Sequence, residues 1–370
     1  LSAEFDVRPY TTGDEVEIVP LLEGVFGGWP HLDIKSPLDY WRWKYLKNPL
    51  GKAIIVVALR NGRIIGCHHS VCLKLKIGDD IVSCVSGTDL AVHPDFRGIG
   101  VARRMDELFR RFQEERKIGF VYWITGNPDL IASSGKKSYR FPLPITNQVR
   151  IRNIDRQLRE MPVEHHHFTK FGYNVAKRLN RLKNIWNKPR PTEKDFRLSS
   201  INNFDERMEQ FWREASSEYD FIIWRGRDFL NWKYHDKDCG VFEVRQATEG
   251  DRIVGYCVLR INRYLSEYRI GYVVDLLTYP DRLCVTDALL GDAVEYFDAQ
   301  DVNIVNYQTI SGHPYEAIAR SHGFLDSRIR LHMFYTCHGE HDIRSEIEKS
   351  KTNRVFLSWG DHDVLPVRMP

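Results

Sequence analysis

AVHPDFRGIGVARRM, Ala91–Met105, is the stretch on which the fold turns. It sets an arginine, two glycines and an alanine between an apolar strand pattern and a basic helical pattern. Where a strand turns into a helix, unpaired N–H groups collect at the helix start, and the macrodipole there favours an anion. Gly98 and Gly100 admit positive φ and close approach of a ligand to the backbone. Arg97 adds positive charge, and Ala102 keeps the first helical turn slim. The pattern R-x-x-G-x-A therefore suits a pyrophosphate laid across the helix start. It is not a Walker loop, since no G-K-[ST] follows, and it is not G-x-G-x-x-G.

Upstream, strands are expected near FDVRPY and around AIIVVAL, RIIGCHHSV and SCVSGTDLAV. Downstream, Val101, Met105, Leu108 and Phe112 fall three and four apart, one face of a helix. GFVYWITG reads as the next strand and NQVRIRNI as a closing one. Such a mixed sheet with a helix crossing after its fourth strand is α/β or α+β in class.

The pattern occurs twice. DYWRWKYLKNPLGKAIIVVALRNGRIIG matches DFLNWKYHDKDCGVFEVRQATEGDRIVG at an offset of 189, pairing Asp39 with Asp228, Trp43 with Trp232 and Gly66 with Gly255. Asp89 and Pro94 then pair with Asp275 and Pro280 at 186, which carries Gly126 onto Gly312. The chain reads as two copies of one fold: residues 1–152, a linker over 153–194, and residues 195–370. At the offset of 186, Arg97, Gly98 and Gly100 become Leu283, Cys284 and Thr286, so the phosphate loop is expected in the first copy alone.

Composition sets outer limits. With 370 residues, 42% hydrophobic and 28% charged, the chain has ample material for two cores. A formal charge of +3 gives no reason to expect a nucleic acid as an obligatory partner. Seven cysteines without C-x-x-C spacing argue against a disulfide framework and against a zinc site, so no metal is expected. Neither a secretory leader nor a membrane span is expected, which points to the cytoplasm. The linker carries ten Lys or Arg against four acids, and Phe168, Phe171, Val175, Leu179, Leu182 and Trp186 recur at helical spacing. This is an amphipathic basic helix: either a connector packed on the domains, or a peripheral membrane or polyanion contact through residues 165–190. His165–His167 is too short a run to imply a metal site.

TDLAVHP followed by DFRGIGVARRM resembles the acetyl-CoA-binding motif of the GNAT superfamily of acyl-CoA N-acyltransferases, [QR]-x-x-G-x-[GA]. The resemblance covers both copies and implies tandem GNAT-like domains, each a mixed, mostly antiparallel sheet flanked by helices. It implies that main-chain groups of Leu90, Ala91 and Val92 hold the pantetheine arm, and that the N–H groups of Arg97, Gly98, Ile99, Gly100, Val101 and Ala102 hold the pyrophosphate. Asn127 sits where the family often has an asparagine near the cofactor.

Acyl transfer to an amine needs a free amine, a polarised carbonyl and a departing thiolate, so a base or water relay must take the amine's proton. A strand N–H near Ala91 or Val92 is a candidate oxyanion donor. Asp89 is the candidate base, although Asp275 holds the same place in the copy without a loop, and His93 is the alternative. Many family members place a tyrosine about five residues before a closing Gly-Phe as general acid. Lys136 falls there and no Gly-Phe is present, which leaves Tyr139, Ser133 or Ser134 as substitutes. The duplicated W-K-Y triplets read as core, with Trp41, which lacks an aromatic twin, as a possible pocket wall.

The expected activity is transfer of an acyl group, acetyl first, from acyl-CoA to a primary amine of a small molecule such as an amino sugar or amino-acid derivative. The second copy is expected to complete the acceptor pocket or to support the first. The alternatives are a non-catalytic acyl-CoA-binding protein and a Fem-like transferase using aminoacyl-tRNA, against which the intact phosphate loop speaks.

Overall fold

The computed structural model describes residues 4–30, 34–135, 138–160, 195–264, 268–327, 329–339 and 342–362. The linker's apolar stripe and its histidine run lie outside the described residues. The first half runs β1 (Asp6–Pro9), α1 (Glu15–Phe26), α2 (Pro37–Leu46), β2 (Ile55–Arg60), β3 (Arg63–Ile77) and β4 (Asp80–Val92). It continues through α3 (Val101–Glu115), β5 (Phe120–Thr125), α4 (Pro128–Ser134), β6 (Tyr139–Arg140), β7 (Ile145–Ile151) and α5 (Ile154–Glu160). The second half repeats the order: β8 (Arg197–Ser200), α6 (Arg207–Ser217), an added β9 (Phe221–Ile223), α7 (Arg227–His235), β10 (Glu243–Glu249), β11 (Arg252–Tyr264) and β12 (Tyr268–Thr278). Then come α8 (Leu283–Ala299), β13 (Ile304–Ile310), α9 (Pro314–Ser321), β14 (Leu325–Asp326), β15 (His332–Cys337) and α10 (Ile343–Lys349).

These elements form two mixed sheets flanked by helices, as the repeat predicts. The sheets do not divide at residue 152, however. The first runs β1-β2-β3-β4-β5-β15-β6, with β9 beside β3, and the second runs β14-β7-β13-β12-β11-β10-β8. The closing strand of each copy thus lies in the other copy's sheet, β7 antiparallel to β13 and β15 antiparallel to β5. The crossing is short. The amide of Phe141 donates to Met333 in the first sheet at 2.9 Å, and the Pro144 carbonyl accepts from Ser311 beside the second at 2.8 Å. Pro142 and Pro144 lack the N–H a continuing ladder needs, so this segment bridges the sheets rather than extending one.

The two halves meet about an approximate two-fold axis marked by their matching tryptophans. Trp43 Nε1 donates to the Trp232 carbonyl at 2.9 Å, Trp232 Nε1 donates to the Trp43 carbonyl at 3.2 Å, and the rings stack at 4.9 Å. The W-K-Y triplets therefore do form core, at the junction. One hydrophobic cluster runs through this junction, and a second seats α3 on the far face of the first sheet through Val101, Met105 and Phe109. Leu108 and Phe112, which the periodicity also placed inward, are partly buried at its rim.

Several histidines are interred in these cores. Burial pushes His68, His69 and His313 down to about 4, and burial with help from the Lys233 charge pushes His362 to about 3. An unfolded chain protonates each near 6.5, so the unfolded state binds more protons and stability falls as pH drops from about 6.5 towards 4, by up to roughly 1.4 kcal/mol per pH unit for each group. Melting temperature measured against pH is expected to fall steeply over that interval; a flat profile would contradict these environments.

Candidate active site

Strands β4 and β5 run parallel and pair only at Cys84–Phe120, Val85–Val121 and Ser86–Tyr122, after which they part. The opening this leaves is lined on one side by Leu90–Val92. The His93 amide donates to Ile65 on β3 at 2.9 Å, so strand alternation turns the main-chain groups of Val92 away from β3, to the open side. At the top of the slot the chain passes a short 3-10 turn, Pro94–Phe96, and reaches the glycines. Gly98 has φ +80° and Gly100 φ +90°, a region where a side chain is strained, and no atom lies within 4 Å of where either Cβ would stand. Among the described residues, none of the amides from Gly98 to Arg103 donates to a main-chain oxygen; the first helical bond is Arg104 to Gly100 at 3.1 Å. Arg97 stands exposed beside them, with its Nε on the Val92 carbonyl at 3.2 Å. A run of bare amides at a helix start is suited to an anion.

The second half lacks it, and for a reason other than one-for-one replacement. The buried face of α8 is Val285, Leu289, Ala293 and Phe297, matching Val101, Met105, Phe109 and Gln113 of α3 at an offset of 184. The connecting loop is therefore two residues shorter than its counterpart, and the correspondence of Gly98 and Gly100 with Cys284 and Thr286 does not hold in space. Helix α8 also starts two residues ahead of Val285, with the Val285 amide already bonded to Arg282 at 2.9 Å. Below it, the Tyr315 hydroxyl accepts from the amide of Thr278, the counterpart of Val92, at 3.1 Å. Helical winding closes the phosphate seat and a tyrosine occupies the strand groups below it.

At the foot of the first slot, β4 carries a bulge at Asp89, which adopts φ +42°. Its side chain is 6% exposed and accepts from Trp29 Nε1 at 3.0 Å, Lys44 Nζ at 2.9 Å and the Tyr45 hydroxyl. Tyr45 also bonds Thr88 Oγ1 at 2.8 Å. Trp41 Nε1 donates to His69 Nε2 at 3.2 Å, so the proton of this neutral ring is on Nδ1, which gives it to the Asp89 carbonyl at 3.1 Å. Burial pushes the Asp89 carboxyl up, but Lys44, then His69 and Tyr45, outweigh it and hold it below its ordinary value. Asp275 has an analogous setting built from Arg225, Tyr256 and Ser358. Removing Asp89 strands a buried ammonium, so Asp89→Ala is expected to cost about 3–5 kcal/mol in denaturant unfolding, much of it recovered by adding Lys44→Met. No recovery in the double variant would show that the pair is not the cause.

The other candidates lie elsewhere. His93 is exposed and caps the 3-10 turn, its Nδ1 accepting from the Asp95 amide at 3.3 Å. Tyr139 lies on β6, with β15 between it and β5, and the Arg344 guanidinium lies over its ring at 4.5 Å. Asn127 caps α4 through its side-chain oxygen, which accepts from the Asp129 and Leu130 amides, and its counterpart His313 caps α9 likewise. The structure thus brings Asp89, Leu90–Val92 and residues 97–102 to one slot, with Asn127 at the end of β5, and leaves Tyr139 at the sheet edge. Trp41 is fully buried.

A small cavity of about 50 Å³ lies against the last paired rung of β4 and β5, where Ser86 and Tyr122 form its floor. Its walls come from α2 and α7 of the two halves and from the turn ending at His362. Lys44, Lys233 and Asp361 reach it, and none of them stood among the sequence candidates. The one available signal was the lysine set between two aromatics in each triplet, because a lysine buried with them needs a counter-charge.

Against known proteins, residues 6–129 match the family described as the acetyltransferase (GNAT) domain. No curated protein sequence matches the chain. Among solved structures, a probable N-acyltransferase from Enterococcus faecalis V583 is similar at 9% identity over 90% of this chain and 72% of that one, with a TM-score of 0.62. N-myristoyltransferase of Saccharomyces cerevisiae with bound myristoyl-CoA is similar at 13% identity over 92% and 80%, TM-score 0.59. A tandem GNAT protein from the clavulanic acid biosynthesis pathway is similar at 13% identity over 92% of this chain and all of that one, TM-score 0.56. Residues 6–129 thus match the GNAT acetyltransferase domain in sequence, and the chain as a whole shares the fold of a tandem GNAT protein.

Proposed function

We propose that the protein is an acyl-CoA-dependent N-acyltransferase that carries an acyl group, most simply acetyl, to a primary amine of a small molecule. The observation that carries this is the run of unpartnered amides from Gly98 to Arg103 above an open strand slot, present in one half and wound shut in the other. The diphosphate of CoA rests on those amides with Arg97 beside it, and the pantetheine follows Leu90–Val92 down the slot. The thioester then arrives at the bulge, above the cavity that admits the amine.

There the amine nitrogen attacks the thioester carbonyl, a C–N bond forms, the C–S bond breaks, and the CoA thiolate leaves. The Val92 amide is placed to donate to the carbonyl oxygen as it gains charge. Asp89, with both oxygens already engaged, acts as a positioning residue that fixes the bulge, and the amine's proton leaves through water. Asp89→Asn is then expected to lower kcat without moving the acid limb of the pH profile; loss of that limb would make Asp89 the base.

The test of the whole reading is a calorimetric titration with acetyl-CoA, expected to give one site per chain, coupled to free-thiol release across a panel of amines. Two equivalent sites would refute the assignment of the second half. Binding without release for any amine would favour a carrier over an enzyme.

A further inference from the structure

Resting on the acyltransferase reading, we infer that His362 receives the acceptor in the cavity between the halves: its Nδ1 accepts an N–H of the amine and holds that amine in its uncharged, nucleophilic form. His362 lines the cavity together with Ser86 and Tyr122 of the floor. What its ring offers there is settled by three side-chain hydrogen bonds in series, which start from a main-chain carbonyl.

The carbonyl of Ile329 can only accept, so the atom of Asn147 that meets it at 3.1 Å is Nδ2. Asn147 Oδ1 is thereby turned to Gln308 and accepts from its Nε2 at 2.9 Å. This leaves Gln308 Oε1 against His362 Nε2 at 2.6 Å, and an amide oxygen bonds that nitrogen only when the nitrogen donates. The neutral ring therefore carries its proton on Nε2, and Nδ1 keeps its lone pair. Burial and the Lys233 charge, which push the ring down to about 3, keep it neutral at ordinary pH. Among the described residues no group bonds Nδ1, and Gln308, which occupies Nε2, does not line the cavity. Nδ1 is thus the ring nitrogen left to meet a ligand. The strand exchange builds this arrangement: Asn147 on β7 and Gln308 on β13 stand directly opposite, so a strand of the first half fixes the tautomer of a histidine from the second.

An unpaired acceptor selects a donor, and an amine brings one. The carboxylates of this region are already engaged, Asp89 by Trp29, Lys44 and Tyr45, and Asp361 by Arg225 and the Ser358 amide. A neutral acceptor also suits the chemistry better than either would. A carboxylate beside the amine would stabilise its ammonium and withhold the lone pair that attacks the thioester, whereas an imidazole nitrogen takes an N–H without adding charge. The ammonium groups of Lys44 and Lys233 on the same walls disfavour a further cation. As the C–N bond forms and the C–S bond breaks, one amine proton passes to water and the other stays on the product amide, so His362 begins and ends neutral.

Nitrogen spectra of the full chain, labelled in its histidines and loaded with unreactive CoA, test this. The His362 ring, assigned through its backbone, is expected to show a protonated Nε2 and a bare Nδ1. The Nδ1 resonance is expected to move when glycinamide is added at mildly alkaline pH, where that amine is largely uncharged. A proton on Nδ1, or no response to glycinamide, would overturn the assignment. In turnover, His362→Leu is expected to lower kcat/KM about tenfold, the fold-change of one buried hydrogen bond. His362→Asn is expected to keep most of the activity, because its side-chain oxygen stands where Nδ1 stood. Both variants lose the bond to Gln308, so equal losses in the two would show a structural role and overturn the assignment. Acetyl-CoA affinity on the same samples serves as the folding control, and the spectrum of the unaltered chain carries the test if either variant fails it. A bare, amine-responsive Nδ1 without thiol release for any amine sinks the acyltransferase reading alone, and thiol release unchanged in His362→Leu sinks the histidine assignment alone.

Discussion

Deleting Ile99 and Gly100, which gives the first half the loop length of the second, is expected to abolish acetyl-CoA binding while leaving the melting temperature nearly unchanged. The glycines sit in positive-φ backbone with open space around them, so nothing in the core leans on this loop. The α3 face that does support the core begins at Val101. Shortening the loop lets the helix wind toward the strand, as α8 does, and consumes the amides that would hold the diphosphate. Loss of two charge-assisted hydrogen bonds at about 1.5–3 kcal/mol each corresponds to a weakening on the order of a hundredfold or more. Gly98→Val with Gly100→Val is expected to act the same way through side chains rather than through winding. Calorimetric affinity and thermal melting on the same samples decide it: retained binding would place the cofactor elsewhere.

The second large effect concerns the exchanged strands. Expressed alone, residues 1–160 are expected to show no cooperative unfolding, and residues 195–370 likewise. The first fragment lacks β15, which pairs with β5 over six residues and buries Met333, Phe334 and Tyr335. Its own β7 would hang without the seven-residue ladder it makes on β13. Each fragment therefore exposes an open sheet edge and an apolar strand at once, a combination that favours aggregation over folding. Co-expressed, the two are expected to assemble into a complex that binds acetyl-CoA. Proton-detected amide spectra and size-exclusion profiles check this, and a well-folded isolated half would show that the exchange is dispensable.

Much of this architecture was legible in the residues. The open loop before α3 was legible because its features are local: glycines in positive-φ backbone, an arginine beside them, a strand before and a helix after. The repeat was legible because matching aromatic and glycine positions survive at fixed spacing. The strand exchange was not, because NQVRIRN suits a partner in either sheet and its hydrophobic pattern does not name one; only Pro142 and Pro144 hint at the crossing. The two-residue shortening of the second loop escaped a constant offset because Pro280 keeps register before it and Gly312 regains it after. Lys233, Arg225 and Asp361 were out of reach for a further reason. Their association spans up to 136 positions in the chain, and each is an unremarkable charge until the fold collects them.

The crossed strands bear on how such a molecule can work. Two domains tied by a single connector can swing apart like a hinged book to let a substrate in. Here each sheet grips a ribbon belonging to the other, so prying the covers open would tear two ladders at once. Access to the cavity between the halves is thereby left to smaller movements, by the side chains and turns around it, rather than to whole-body opening.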